Sequence, residues 1–574
     1  MPRGLSACTV RRACVLRVME KSAFSGLWTK LPPWYRSAGN ILTLGDRNFM
    51  AFFTRTHGMG IAAIALGLGV FLSRILGLVR DKVISYYFGA GTEADVYFTA
   101  FVVPDFLNYL LAGGYFSITL VPLLARAFSG DEEDGWRFFS AAVCWAAIAI
   151  TILTVLAWLF VPVLTPLIAP GFSPEAQTRL AAFLRIILPA QMCFLPGACF
   201  TAMLYHRRQF AVPAFAPLVY NGCIIAGGLL FLHFFPARGM EGFCWGVLAG
   251  AALGSLVLPA LAVRAGGMRF APVLAHPYLK KMVLLALPLM LGQSIVALDE
   301  QFVRVFGSLA GDGGVSLLNY ARRIMLMPVG VVAQAAGLAS YPFLAALAAS
   351  GERERFSSSL NRALTNTLLV ALPVSVWMLV LAEPIMRLIF QQGSFTSQAA
   401  TESGTLLAIM MIGVSFWAVQ QVLGRAFYAH EDTLTPALVG TAATVIVLPA
   451  YWFGAKLFGA AGVAAAGVLG VLLYTGGLWR IWIGRFGRDA LRGLAFNAGG
   501  SLLVCAPACA AASGSARAVG QFFPSASLWG AACAIVAGGS VFGLVYLGGG
   551  FLFAPSLCAP LTELFAKAKK RLPR

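Results

Sequence analysis

Charged residues are scarce in this sequence, at 11% of 574 residues, whereas a soluble globular protein carries about 25%. This deficit excludes a soluble enzyme, a nucleic-acid-binding protein and an intrinsically disordered chain, because each needs a polar or charged surface. Hydrophobic residues make up 59% of the chain. Since a membrane span takes roughly 20 apolar residues, this composition predicts an all-α polytopic membrane protein.

Closely spaced cysteines and clustered histidines are also missing. The eleven cysteines include no CxxC pair, and the five histidines are scattered singly. We therefore expect free thiols in the apolar core and no metal site, the alternative for the cysteines being a disulfide or metal role.

Residues 1–57 differ in composition from the rest of the chain. They hold nine Lys or Arg against two acids, and no apolar run reaches the length of a signal peptide. Two interpretations stay open. The segment is either a disordered basic cytoplasmic extension or the product of a start codon assigned too far upstream, since Met50 and Met59 stand close to the first long apolar stretch.

Apolar stretches separated by Gly, Pro and charged residues predict about fourteen transmembrane helices. The formal net charge of +19 is unevenly placed, because Lys and Arg concentrate in the connections after even-numbered helices. By the positive-inside rule, both termini should lie in the cytoplasm, including the basic tail at 556–574.

An internal repeat occurs at an offset of about 223 residues. Tyr205 followed by Pro213-Ala214 recurs as Tyr428 followed by Pro436-Ala437. Each unit holds six predicted helices, so the two lobes should share one orientation and be related by an axis along the membrane normal. The predicted units are a six-helix lobe at 58–265, a second six-helix lobe at 278–485, and two extra helices, 13 and 14, at 490–555.

Charged side chains inside the predicted spans are functional candidates, because each costs about 2.5 to 3.5 kcal/mol at the bilayer centre. They lie mainly in predicted helices 1 (60–88), 2 (94–127), 7 (280–309) and 8 (315–349), which are equivalent positions in the two lobes. The predicted substrate-binding residues are Arg74, Arg80, Asp81, Asp95, Asn108, Arg322 and Arg323, and the predicted ion-binding or gating residues are Asp299, Glu300 and Arg304.

The arginines in this set favour an anionic substrate, since a guanidinium binds phosphate through two parallel hydrogen bonds and an ammonium does not. Three questions stay open. The stretch 80–82 is also consistent with an interfacial charge cluster near a helix end. Glu300 and Arg304, spaced i and i+4, are equally consistent with a neutralised structural pair. Arg322 and Arg323 diverge by about 100°, so one of them should face the transport path.

The motif Ser-Arg-x-x-Gly-x-x-Arg-Asp at 73–81 and the run Pro-Ala-Phe-Ala-Pro at 213–217 resemble the MurJ (MviN) family. These are the lipid II flippases of the multidrug/oligosaccharidyl-lipid/polysaccharide exporter superfamily. The resemblance covers about residues 59–490 and implies that undecaprenyl-pyrophosphate-linked disaccharide-pentapeptide moves from the inner to the outer leaflet by alternating access. It also implies a central cationic cavity that uses Arg74, Arg80 and Arg323, a required acid at Asp95, and a polyprenyl-tail groove at helices 13 and 14. The location that it implies is the bacterial cytoplasmic (inner) membrane.

The chain departs from the family pattern at several positions. Asn108 and Gly113 stand where many members have Arg and Glu, and Arg322 and Leu326 replace acids. We hypothesise that Arg322 supplies the positive charge lost at Asn108. Helix 11, at 434–456, has no acid or Asn, so we do not expect the sodium site of some members in this chain. We expect the membrane potential to drive transport without a cofactor.

Two other functions fit the sequence less well. An O-antigen-type lipid-linked oligosaccharide flippase or a drug exporter of the same superfamily usually has twelve helices and lacks the helix 1 arginine motif. A membrane glycosyltransferase needs a larger loop and an aqueous carboxylate pair. We predict a transporter rather than an enzyme, with lipid II and membrane lipids as partners, cell-wall synthesis proteins as candidate partners, and no nucleic acid.

Overall fold

The computed structural model describes residues 59–111, 115–271, 273–330, 334–489, 492–524 and 527–553. The basic extension at 1–57, the tail at 556–574 and Gly113 lie outside the described residues. The described part is almost entirely helical and contains no strand, which confirms the all-α prediction.

Twenty α-helices are present in the described part of the chain. Those of the N-terminal half are α1 Met59–Phe88, α2 Thr92–Thr99, α3 Val102–Leu111, α4 Tyr115–Gly130, α5 Glu132–Leu159, α6 Val161–Ile168, α7 Pro174–Ile187, α8 Gln191–His206, α9 Ala211–Phe234, α10 Gly239–Gly250 and α11 Leu258–Ala265. Those that follow are α12 Pro277–Gly307, α13 Gly314–Pro328, α14 Gln334–Ala349, α15 Arg353–Val380, α16 Ala382–Phe390, α17 Ser397–Ala429, α18 Leu434–Phe486, α19 Leu494–Phe522 and α20 Leu528–Phe553.

Within the described residues, nine helical segments are long and apolar enough to cross a membrane. Other predicted spans are broken into shorter helices. Predicted helix 2 is divided into α2, α3 and α4, and a π-helical turn at Ala251–Val257 joins α10 to α11. Inside α18 the backbone reverses at Gly459 (φ 58°, ψ −138°), a conformation that glycine adopts without strain. This break falls where the sequence predicts the boundary between helices 11 and 12.

The backbone carries its own evidence of the internal repeat. Among the described residues, Arg208 (φ 58°) and Glu431 (φ 60°) are the two non-glycine residues with positive φ, and they are 223 positions apart. In each case the next amide donates to a carbonyl five residues back, at 2.8 Å from Gln209 and 3.0 Å from Asp432. This is the Schellman ending of a helix. The two turns therefore match at the offset at which the sequence predicts a repeat, and the division into six-helix lobes stays a prediction.

Three apolar clusters hold the helices together. One lies mainly in the N-terminal half and includes Trp136, together with Met282 from the start of α12. A second joins the C-terminal half to the last two helices, for example through Phe356 and Val504. The largest crosses between the halves. The helices that supply the predicted site, α1 to α3, α12 and α13, therefore lie where the two halves pack against each other.

Candidate functional site

Asp81 on α1 is the centre of an ion cluster that joins the two halves. It is 2% exposed, and its Oδ1 accepts from Arg80 Nη2 at 2.8 Å and from Arg80 Nε at 3.0 Å. Its Oδ2 accepts from Nε of Arg323 on α13. One buried carboxylate thus faces two guanidinium groups, so the cluster keeps a net positive charge. Burial of a charge is tolerated because it is paired and hydrogen-bonded.

Arg80 is also held by α9. Its Nη1 donates to Asn221 Oδ1 at 3.3 Å, and Asn221 Nδ2 donates to the carbonyl of Pro217 at 3.0 Å and to Ser73 Oγ at 3.4 Å. The sequence alone does not mark Asn221 as a site residue. The one sequence feature that could have indicated Asn221 is its position four residues after Pro217, the last proline of the run at 213–217.

Arg74 lies on α1 about two turns before Asp81 and is exposed. Its guanidinium lies against Gly330 in the π-helical turn that follows α13, where any side chain would collide with it. The glycine therefore leaves room for an arginine of one half beside the backbone of the other.

A second ion cluster links α3 to α12. Arg304, 8% exposed, donates through Nη1 to Asp105 Oδ2 at 2.6 Å and through Nη2 to Glu300 Oε1 at 3.0 Å. The i and i+4 pair anticipated from spacing is therefore present, but it is part of a larger bridge between the halves. The side chain of Asp299 lies outside the described residues.

Asp95 contacts the N-terminal end of α13, about two helical turns before Arg323. It is 1% exposed, and its Oδ1 accepts from the backbone amide of Ser316 at 2.7 Å, in the first turn of α13. Amides at a helix N-terminus favour a carboxylate partner. Asp95 is thus a connection between α2 and α13, and its predicted role toward substrate stays a prediction.

Further contacts close this same end of the molecule, which we call the closed end (the loops around residues 89, 171, 312 and 394). Thr92 Oγ1 donates to Asp312 Oδ1 at 2.7 Å. The amide of Ser394 donates to the carbonyl of Tyr86 at 2.8 Å, and Tyr320 Oη donates to the carbonyl of Gly89 at 3.1 Å. Each bond joins the N-terminal half to the C-terminal half, so no open path is expected there.

Asn108 lines a cavity of about 840 Å³ within the N-terminal half. We call it the N-half cavity. It lies between α3, α4, α8, α9 and the π-helical turn at Ala251–Val257. Tyr205 and Pro213 in its wall flank the loop at 207–210, which is the end of α8 remote from the closed end. The cavity therefore lies toward the opposite end of the molecule.

Arg322 and Arg323 point to different surroundings, as their 100° separation requires. Arg323 contacts Asp81 of the other half and its side chain is 38% exposed. Arg322 lines a narrow cavity of about 30 Å³ with Met410 and Trp417 of its own half. Since Asn108 lies in the N-half cavity instead, the hypothesis that Arg322 replaces its charge stays a prediction.

Comparisons with known proteins agree with the resemblance carried by the motifs. The family model "Lipid II flippase MurJ" matches residues 84–532. A "Probable lipid II flippase MurJ" of Rhizobium meliloti is 32% identical over 433 residues, covering 73% of this chain and 79% of the relative. The "Lipid II flippase MurJ" of Burkholderia cenocepacia is 26% identical over 413 residues, covering 70% and 79%.

Solved structures show the same fold. The structure titled "Lipid II flippase MurJ, inward closed conformation" matches with a TM-score of 0.70 and 23% identity, over 86% of this chain and 99% of that chain. An "Inward-facing conformation of a multidrug resistance MATE family transporter of the MOP superfamily" matches with a TM-score of 0.60 and 17% identity, over 74% and 99%.

Proposed function

Because the chain belongs to the MurJ family of lipid II flippases, we propose that this multi-pass membrane protein moves lipid II from the inner to the outer leaflet by alternating access. The observation that carries the proposal is the arginine cluster held between the two halves. Arg74, Arg80 and Arg323 together with Asp81 give a formal charge of +2 (three minus one) beside the path. A pyrophosphate diester is anionic and needs such paired cations once it leaves water.

Arg323 is the residue best placed to bind the pyrophosphate. Its Nε is taken by Asp81, and its side chain remains 38% exposed, so its terminal nitrogens are available as a fork. Arg80 is different, because Asp81 and Asn221 engage all three of its nitrogens. We assign Arg80 a positioning role: it holds the carboxylate that orients Arg323.

The arrangement of the two ends supports a cytoplasm-facing state. The closed end holds few cations, whereas the connections at the opposite end carry Arg207, Arg208, Lys280, Arg353 and Arg355. On the positive-inside rule, we propose that this basic end and both termini lie in the cytoplasm. In this state the headgroup enters from the inner leaflet. A pyrophosphate bound by the terminal nitrogens of Arg323 brings a second negative charge close to Asp81. The repulsion between them weakens the bond between the halves, which favours the switch to the outward state.

A separate apolar cavity suits the polyprenyl tail. It has a volume of about 510 Å³ and lies between α15, α17, α18 and α19, with Leu372, Met411, Phe416 and Trp479 in its wall. Hydrocarbon gains no hydrogen bonds from its surroundings, so a nearly all-apolar wall fits a tail better than a headgroup. Helix α19 is predicted helix 13, in agreement with the tail groove that the resemblance implies.

Restoration of growth tests the proposed function. Expression of the chain in cells depleted of their own lipid II flippase is expected to restore growth, because the essential step is replaced. Lipid II that becomes accessible at the outer leaflet provides the direct measurement. A chain that reaches the membrane at normal levels and leaves lipid II inside would contradict the proposal.

We also propose the membrane potential as the energy source. Moving one elementary charge through the field changes the free energy by about 2.3 kcal/mol per 100 mV, which is enough to reset a cationic cavity. The first part of α18 (434–456) offers no acid or Asn for a sodium ion. Collapsing the potential with valinomycin and potassium is expected to stop flipping, and replacing sodium with choline should change it little. Loss of transport on sodium removal alone, at intact potential, would overturn this assignment.

A further inference from the structure

The N-half cavity is unlike an anion site. Its described wall contains no charged side chain, and instead combines the aromatic rings of Phe194, Tyr205 and Tyr220 with the hydroxyl groups of Thr201 and Ser255. Its volume of about 840 Å³ falls within the range of about 300 to 1,000 Å³ that is usual for ligand sites. The arginine cluster does not explain this cavity.

The internal repeat shows what makes the cavity large. At the offset of 223 residues, Gly197 and Ala198 of α8 correspond to Gln420 and Gln421 of α17. Both glutamines line the equivalent cavity of the C-terminal half, which measures only about 130 Å³ and is also narrowed by Phe302. The N-terminal half thus has small residues where the C-terminal half has long side chains. Gly197 packs against the carbonyl oxygen of Ser255, so Ala198 is the position at which the difference in side-chain length bears on the cavity. Of the two equivalent cavities, only the one in the N-terminal half therefore has room for a bulky group.

The cavity adjoins the arginine cluster through α9. Tyr220 and Pro217 line the cavity, and Asn221, the next residue of the same helix, accepts the hydrogen bond from Arg80 at 3.3 Å. A group bonded directly to a pyrophosphate held by the arginines would therefore reach the cavity. In lipid II that group is the disaccharide.

We propose that the N-half cavity binds the saccharide portion of lipid II, an inference that rests on the function proposed above. Sugars present hydroxyl and amide groups that need uncharged hydrogen-bonding partners, here supplied by Asn108, Thr201 and Tyr220. The C–H faces of a sugar ring also pack on aromatic rings, whose faces carry negative charge. A polyprenyl tail would leave these polar groups unpaired, and the charged groups of a peptide stem would find no counter-ion.

Ala198→Gln tests the proposal by installing the side chain that the other repeat carries. Binding is measured on the full-length purified protein with two probes, lipid II and undecaprenyl pyrophosphate, which lacks the sugars. We expect the Kd for lipid II to rise roughly tenfold and the Kd for undecaprenyl pyrophosphate to stay within about twofold. Gln421→Ala, the reciprocal change in the smaller cavity, is the matched control and should leave both values unchanged.

Tyr220→Phe provides a second variant that removes one hydroxyl group and adds no bulk. It is expected to weaken lipid II binding several-fold, without an effect on undecaprenyl pyrophosphate. Thermal unfolding midpoints equal to that of the unchanged protein exclude a folding defect.

The outcomes separate the two proposals. Unchanged lipid II affinity in both variants, or an equal loss for both probes, overturns the saccharide assignment while the flippase function stands. If the unchanged protein binds neither probe, the proposed function fails and the saccharide site falls with it.

Discussion

Replacement of Arg323 by lysine is expected to remove most lipid II transport although the charge is kept. Arg323 donates to Asp81 through Nε and leaves its two terminal nitrogens to bind the pyrophosphate. Lysine has a single ammonium group, which cannot make both sets of hydrogen bonds in this geometry. A charge-assisted hydrogen bond is worth about 1.5 to 3 kcal/mol, so we expect a loss of roughly 10- to 150-fold. The rate of lipid II appearance at the outer leaflet is the measurement.

The control for this substitution is Arg355→Lys. Arg355 also forms an ion pair, with Glu352 at 2.6 Å, but its side chain is 75% exposed and lies at the start of α15, a helix without a predicted site residue. Surface pairs of this kind contribute little, so transport should be unchanged. Wild-type transport by Arg323→Lys at normal protein levels would place Arg323 outside the anion site.

The arginine cluster could be anticipated from sequence because charge inside an apolar span is costly and therefore rare. The motif at 73–81 stood out on this ground, and the repeat related helices 1 and 2 to helices 7 and 8. The structure brings Arg80, Asp81 and Arg323 together, whereas Arg322 lines a separate small cavity.

Other features depend on contacts between residues far apart in the chain, which local sequence patterns do not reveal. Arg304 and Asp105 are 199 residues apart, so the i and i+4 partner Glu300 was visible from spacing and the partner on α3 was not. The π turn at Ala251–Val257 has nearly the same apolar pattern as an α-helix. The N-half cavity depends on how four helices pack and could not be predicted from sequence. The small residues at 197–198, where the other repeat has glutamines, could be identified once the repeat was known.

A disulfide across the closed end is expected to arrest transport. Thr92 and Asp312 are both exposed and their side chains touch at 2.7 Å, so cysteines at these positions can form a bond that joins the two halves. The proposed alternating access requires these halves to separate at this end. Oxidised Thr92→Cys/Asp312→Cys protein, in a background without the eleven native cysteines, should therefore lose nearly all lipid II transport and recover it on reduction.

The matched controls are the two single variants, Thr92→Cys and Asp312→Cys, in the same background without native cysteines. Neither can form the cross-link between the halves, so transport by each is expected to be the same before and after oxidation. If the Thr92–Asp312 cross-link forms completely and transport continues, the closed end is not the gate, and substrate must leave by a route that does not part these loops.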